Sequence, residues 1–114
     1  MDDRVTVILT GRRPVRVRKD AWPVVAYAED HDGQVRSQAD RVWRLVVRQH
    51  ADGRALVYGV FQSSWANEHD RRGGVLVPAG GDVPAAIHQV ADDLGLGERL
   101  AEEAIADLPA EDLD

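Results

Sequence analysis

The sequence predicts an α+β fold, in which an antiparallel sheet of four to six strands, built from hairpins, carries two C-terminal helices packed on one face. Alternating apolar and polar residues, the pattern of a half-buried strand, recur in residues 5–18 and 41–62. An apolar stripe with helical spacing runs through residues 83–108. The 114 residues suit one hydrophobic core. We therefore expect a single domain over residues 1–109, followed by an acidic, frayed tail over residues 110–114.

The first hairpin is predicted from two short alternating runs separated by a turn. In the first run, Val5, Val7 and Leu9 occupy every second position. Residues 11–14, which include a glycine and a proline, interrupt this pattern. In residues 15–18 valine then alternates with arginine, so the second strand has one apolar and one cationic face.

The segment after this hairpin has two interpretations. Asp20 can cap a helix, and Pro23 fits its first turn because the missing N–H costs no hydrogen bond there. These residues predict a short helix over residues 20–30. The run Val-Val-Ala-Tyr at residues 24–27 is also compatible with a strand, and the sequence leaves both interpretations open.

The most specific local signal is the Asp52-Gly53 pair between two alternating runs, which is typical of a β-hairpin. A two-residue type I′ loop at this pair places Trp43 opposite Gln62 and Leu45 opposite Val60, so that one face is apolar. The opposite face then combines arginine with an aromatic side chain. Its predicted members are Val42, Arg44, Val46, Arg48 and His50 on the first strand and Ala55, Val57, Gly59 and Phe61 on the second.

The remaining elements follow from turn and cap residues. Residues 63–74 are polar apart from Trp65 and predict a loop, and residues 75–77 predict a last short strand. A helix is expected from the Asp82 cap to a terminal glycine at position 95. A second short helix continues over residues 96–108, where a following proline stops it.

Composition excludes several classes of protein. The chain has no cysteine, which excludes a disulfide framework, a thiol nucleophile and a thiolate zinc site. Residues 1–4 lack the basic-then-apolar order of a signal peptide, and no apolar run has the length of a membrane span. We therefore expect a cytoplasmic protein with no membrane partner. The strong preference for arginine over lysine is typical of a GC-rich bacterial genome.

Candidate chemistry from the polar residues is weak. The four histidines, His31, His50, His69 and His88, do not have the spacing of a helical metal site. A Ser-His-acid set taken from residues 63–70 has no nucleophile elbow. We predict no catalytic residue, no metal ligand and no cofactor, and therefore no enzyme.

The charge is divided along the chain. Residues 1–74 contain 13 basic and 10 acidic residues, whereas residues 75–114 contain one arginine and 10 acidic residues, which together give the net charge of −6. Such asymmetry is found where a protein contacts nucleic acid or another protein, and also where acidic helices neutralise arginines within one fold. Guanidinium groups beside aromatic rings suit both kinds of contact. The predicted contact residues are Arg16, Arg18, Arg44, Arg48, Phe61 and Trp65.

Several short segments carry a resemblance to other proteins. They are Gly11-Arg12-Arg13-Pro14-Val15, Trp22-Pro23-Val24, His31-Asp32-Gly33-Gln34, Val47-Arg48-Gln49-His50-Ala51-Asp52-Gly53-Arg54 and Val57-Tyr58-Gly59. In these segments, within residues 11–60, the chain resembles small uncharacterised bacterial accessory proteins, of the kind that phages and plasmids carry. The resemblance implies no specific activity, cofactor or site. It favours binding over catalysis.

The sequence therefore predicts a small non-catalytic protein that binds another macromolecule, with a protein as the expected partner. Three alternatives stay open. One is a nucleic-acid-associated regulator that uses the arginine-rich sheet face, and another is an inhibitor that imitates a phosphate backbone with its acidic helices to block a defence complex. The third is a small metal-dependent enzyme using His31, His50 or His69. The oligomeric state is not predicted.

Overall fold

The computed structural model describes residues 3–32 and 40–110 of the chain. These residues contain six strands and two helices. The elements are β1 (Arg4–Val7), β2 (Val15–Arg18), β3 (Val24–His31), β4 (Arg41–Gln49), β5 (Ala55–Ser63), β6 (Arg71–Val77), α1 (Val83–Leu94) and α2 (Glu98–Ala106). Strands β1 and β2 form an antiparallel hairpin, and β3 to β6 form a four-stranded antiparallel sheet in chain order. The predicted α+β class is confirmed. Apart from Ala110, the predicted acidic tail lies outside the described residues.

The predicted hairpin around Asp52-Gly53 is present, but its loop is one residue longer than expected. The His50 N–H donates to the Arg54 carbonyl at 2.9 Å, and the Gly53 N–H donates to the His50 carbonyl at 2.9 Å. The loop therefore has three residues. Gly53 closes it at φ 97°, a left-handed conformation that glycine adopts without steric cost.

The longer loop corrects the predicted register by one residue and turns β5 over. Trp43 lies opposite Phe61 rather than Gln62, and Leu45 lies opposite Gly59 rather than Val60. Successive side chains of a strand point to opposite faces, so the shift exchanges the two faces of β5 completely.

Residues 24–31 form strand β3, so the expected short helix over residues 20–30 is wrong and the alternative strand is confirmed. The Trp22 N–H donates to the Arg18 carbonyl at 3.0 Å, which makes a turn before the strand. Ala26 and Ala28 are then buried against the helices and alternate with the exposed Tyr27. Pairing with β4 gives the backbone of residues 24–31 its hydrogen-bond partners, and the strand alternation places these alanines toward the helices.

The polar loop predicted over residues 63–74 is shorter than expected. Strand β5 continues to Ser63 and β6 begins at Arg71, so the loop covers residues 64–70. Two adjacent glycines, Gly73 and Gly74, interrupt the alternating pattern that would predict a strand here. Both lie in β6, where a Cβ atom at Gly74 would come within 2.5 Å of the Val57 carbonyl oxygen.

Helix α1 follows its predicted boundaries, whereas α2 covers residues 98–106 and is shorter than the predicted span of residues 96–108. The Asp82 carboxylate accepts a hydrogen bond from the Ala85 N–H at 3.0 Å, and Gly95 ends α1 at φ 64°. Helix α1 packs on β5 and β6, and α2 packs on β3 and β4. The prediction that both helices cover one face of the sheet is confirmed. Neither helix in this part of the chain has the length and apolar character needed to cross a membrane.

Two apolar clusters hold these layers together. The larger lies between the helices and the sheet and includes Leu45, Ile87 and Leu100. Gly59 belongs to this contact, because a Cβ atom there would stand 2.7 Å from a methyl carbon of Leu96. The smaller cluster lies on the opposite face of the sheet, where the β1–β2 hairpin covers Leu56.

We expect the larger cluster to dominate stability. Leu45→Ala should lower the free energy of unfolding by about 2–5 kcal/mol, because Leu45 is 0 % exposed and the change leaves a cavity. The same change at Leu76, which is 38 % exposed, should cost under about 1 kcal/mol. Urea unfolding followed by tryptophan fluorescence measures both. Equal losses in the two variants would contradict the assigned core.

Candidate functional site

The sheet face opposite the helices is covered only in part. The β1–β2 hairpin packs over Leu56 at one end, and beyond it the sheet leaves a groove of about 340 Å³. We call this the open groove. Its lining residues are Thr6, Ile8, Val24, Tyr27, Arg44, Val46, Arg48, Tyr58, Gly59, Val60, Gln62 and Arg72. Side chains from five strands or their ends therefore converge on one concave surface.

The strand registers place the groove residues in rows across the sheet. One row runs from Glu29 through Arg44 and Val60 to Arg72, on four successive strands. Neighbouring strands lie about 4.8 Å apart, so the Cα atoms of Arg44 and Arg72 are separated by roughly 10 Å, with Val60 between them. Two cationic side chains thus flank one aliphatic side chain.

Arg44 is held by contacts within the chain. Its Nη2 donates to Gln62 Oε1 at 2.6 Å, and its Nε lies 3.6 Å from Glu29 Oε1. The side chain is 28 % exposed, yet the Nε–H is buried and has no hydrogen-bond acceptor. The Arg44 Nε–H therefore depends on the ion pair with the Glu29 carboxylate rather than on a hydrogen bond.

Arg48 has a structural contact on the same face. Its Nε donates to the Tyr58 hydroxyl at 2.8 Å, and its Nη1 donates to the Trp22 carbonyl at 2.9 Å. These two bonds link the turn after β2 to the centre of the sheet. Arg48 is half-buried, and it forms the floor of the groove rather than an exposed contact.

Arg72 is the groove residue that sequence analysis missed. It is exposed on β6, opposite Val60. The alternation of Arg72, Gly74 and Leu76 on one face of the strand was the available signal. The glycine at position 74 weakens this signal, since it has no side chain to define a face.

Phe61, predicted to lie beside Arg44, is on the other side of the sheet. It is 3 % exposed, its ring centroid lies 5.5 Å from that of Trp43, and the Arg71 guanidinium lies 4.3 Å from its ring centre. This placement is a direct result of the corrected register. Phe61 is therefore part of the core and leaves the set of contact residues.

Arg16 and Arg18 lie on the outward face of β2, away from the groove lining. Val15 and Val17, which alternate with them, pack into the smaller apolar cluster. Arg18 is 3.1 Å from Asp20. The two arginines add positive charge to the hairpin but do not join the Arg44 row.

Trp65 forms a separate exposed feature in the loop before β6. It is 44 % exposed, and the Arg41 guanidinium lies 3.6 Å from the centre of its ring. Arg41 in turn donates two hydrogen bonds to the Glu68 carboxylate, at 2.8 and 3.0 Å. The Ser63 hydroxyl also donates to Glu68, at 2.7 Å. The bonds from Arg41 and Ser63 hold the pKa of Glu68 below its usual value.

The described charged residues that line the groove are all positive. Its described lining residues include three arginines and no carboxylate. The neighbouring Glu29 accepts a hydrogen bond from the Tyr27 hydroxyl at 2.8 Å. By contrast, a wider depression of about 530 Å³ between α1 and α2 is lined by Asp92 and Glu98 and has no arginine or lysine. The molecule therefore has a cationic groove on one side of the sheet and an acidic helical surface on the other.

The histidines are dispersed. His50 Nδ1 lies 3.1 Å from Asp52, and His88 Nε2 lies 3.6 Å from Glu102. Within residues 3–32 and 40–110 no group of three or more histidine or acidic side chains is arranged to hold a metal ion.

Comparison with known proteins adds no family. No family model, curated protein or solved structure matches this chain.

The Arg41–Glu68 contact predicts a pH dependence. Because the folded pKa of Glu68 is lowered, its ionisation stabilises the fold fully above the ordinary value of 4.5, and this contribution is lost as the pH falls through the lowered pKa. Glu68→Gln should therefore reduce stability at neutral pH, and the difference from wild type should shrink in acid. Urea unfolding at about pH 7 and about pH 3 measures this.

Glu102→Gln is the matched control, since that side chain is 62 % exposed on α2 and lies outside the Arg41 contact. It should change stability little at either pH. A Glu68→Gln effect that is the same at both pH values would contradict an ionic contribution from Glu68.

Proposed function

We propose that this chain is a non-catalytic binding protein that engages another protein through the open groove. The row in which Arg44 and Arg72 flank Val60, on a sheet face that the described residues cover only in part, is the observation that carries the proposal. The cysteine-free, arginine-rich composition supports a bacterial cytoplasmic setting.

The groove has the composition of a protein interface. Beside the Arg48 side chain, its floor has the aliphatic residues Val46 and Val60 at the centre, with Ile8 at the hairpin wall. Val24 and Tyr27 stand at the opposite wall and are among the exposed large apolar residues of the chain. Protein interfaces combine such apolar surface with arginine and aromatic side chains and are poor in lysine and carboxylates. Large exposed apolar patches mark interaction sites.

Nucleic acid is less well suited to this surface. Proteins that bind single strands on a sheet offer aromatic rings for stacking and guanidinium groups for phosphate. Here Arg48 uses its Nε and Nη1 for bonds within the chain, and Arg44 is partly engaged by Gln62. The surface between the arginines is valine. A protein segment with apolar side chains covers such a floor better than a phosphate backbone does.

We expect Val60→Glu to abolish partner binding while leaving the fold intact. The new carboxylate would lie between Arg44 and Arg72, where it neutralises both charges and occupies the groove. The measurement is a pull-down of the tagged full chain from a nuclease-treated bacterial lysate, read by mass spectrometry. A protein recovered by the wild type should be lost with Val60→Glu, while the thermal midpoint stays at or above that of the wild type.

Leu76→Glu is the control, because it adds the same charge on the same sheet face outside the groove lining. It should retain the partner. Equal recovery with both variants would reject the groove as the binding surface. Loss of every partner upon nuclease treatment would indicate that the chain binds nucleic acid instead of a protein.

A further inference from the structure

We infer that the open groove recognises an extended acidic segment of the partner, in which one apolar residue is flanked by carboxylates two positions away on either side. This inference rests on the proposed protein-binding function and specifies the chemistry of the partner.

The spacing of the central row defines the charge pattern. Arg44 and Arg72 stand one strand to either side of Val60, so an apolar side chain seated on Val60 has a guanidinium on each flank. In an extended segment, side chains two positions apart lie on the same face, roughly 7 Å from each other. A segment that crosses the strands along this row therefore presents carboxylates at positions i−2 and i+2 toward the two arginines.

The exposure of Arg72 allows it to bind a carboxylate of the partner protein. Arg72 is exposed on β6, and carboxylates bind guanidinium groups through paired hydrogen bonds. The Arg44 Nε–H is buried without an acceptor, and Glu29 Oε1 is 3.6 Å away. At Arg44, a carboxylate from the partner would add to the Glu29 ion pair or compete with it, so Arg72 is the more accessible of the two guanidinium groups.

The residues at the borders of the groove limit where a bound segment can lie. Thr6 and Ile8 bound the groove on the hairpin side, and Tyr27 lies on the edge strand β3. The groove lining contains no carboxylate among the residues described, and the neighbouring Glu29 is engaged by Tyr27 and Arg44, so the lining favours an acidic segment over a basic one. Complementary charge selects acidic partners and raises their association rate.

The experiment begins with a phage-displayed library of random 12-residue peptides, selected on the immobilised full chain and counter-selected on Val60→Glu. Enriched peptides should share an acidic–x–apolar–x–acidic pattern. One enriched peptide, made with a fluorescent label, then serves as the probe in anisotropy titrations. Its affinity should fall as salt is raised, since the ionic contacts are screened.

Arg72→Glu should weaken binding of this peptide about tenfold or more, because an attractive ion pair becomes a repulsive one. Arg99→Glu makes the same charge change on α2, where the side chain is 84 % exposed and outside the groove, and should leave the affinity unchanged. A peptide with lysine in place of only the acid that faces position 72 should recover affinity for the Arg72→Glu chain, because its other acid still faces Arg44.

The outcomes separate the two proposals. Enriched peptides that need Val60 but have no acidic bias would overturn the acidic-segment inference and leave the protein-binding function standing. If no enriched peptide is sensitive to Val60→Glu, the proposed function of the groove fails. Arg72-dependent binding of a labelled oligothymidine of about 20 nucleotides, tested in parallel, would overturn both in favour of nucleic acid.

Discussion

The turn that closes the β4–β5 hairpin determines the faces of the whole sheet. Gly53 adopts φ 97°, which allows a three-residue loop, and the loop sets which residues of β5 oppose those of β4. With this register Phe61 and Gly59 lie beneath the helices, and Val60 lies between arginines on the open face. A slip of one residue would exchange these sets and bury Val60 and Gln62 instead. Both the core and the groove depend on this single backbone constraint.

The groove exists because the two faces of the sheet are covered unequally. Two helices, α1 and α2, cover one face along all four strands, and the small residues Ala26, Ala28 and Gly59 permit their close approach. On the other face, the part of the chain that the structure describes provides the β1–β2 hairpin, whose apolar side chains reach Leu56 and Tyr58. Residues beyond the hairpin are therefore left with apolar and cationic side chains at the surface. Incomplete coverage of this apolar sheet face by the described residues is the feature on which the binding proposal rests.

Arginines with the same sequence character have different roles in the structure. Arg48 bonds to the Tyr58 hydroxyl and the Trp22 carbonyl and so stabilises the arrangement of hairpin and sheet. Arg41 holds Trp65 and Glu68 in the loop at the other end of the sheet. Arg72 is left exposed at the groove. Sequence patterning assigned Arg44 and Arg48 correctly to one face, but the difference between a structural and an exposed guanidinium depends on which acceptors the fold brings near.

By itself the sequence determined the class of the fold, the hairpin at Asp52-Gly53 and both helices, because alternation, helical spacing and cap residues act over a few neighbouring positions. Tertiary structure decided the conformation of residues 24–31, the register of β5 and the inclusion of Arg72 in the groove. Each of these depends on pairing between strands distant in the chain or on a single residue of loop length. Local patterns carry no information about which face such pairing leaves uncovered.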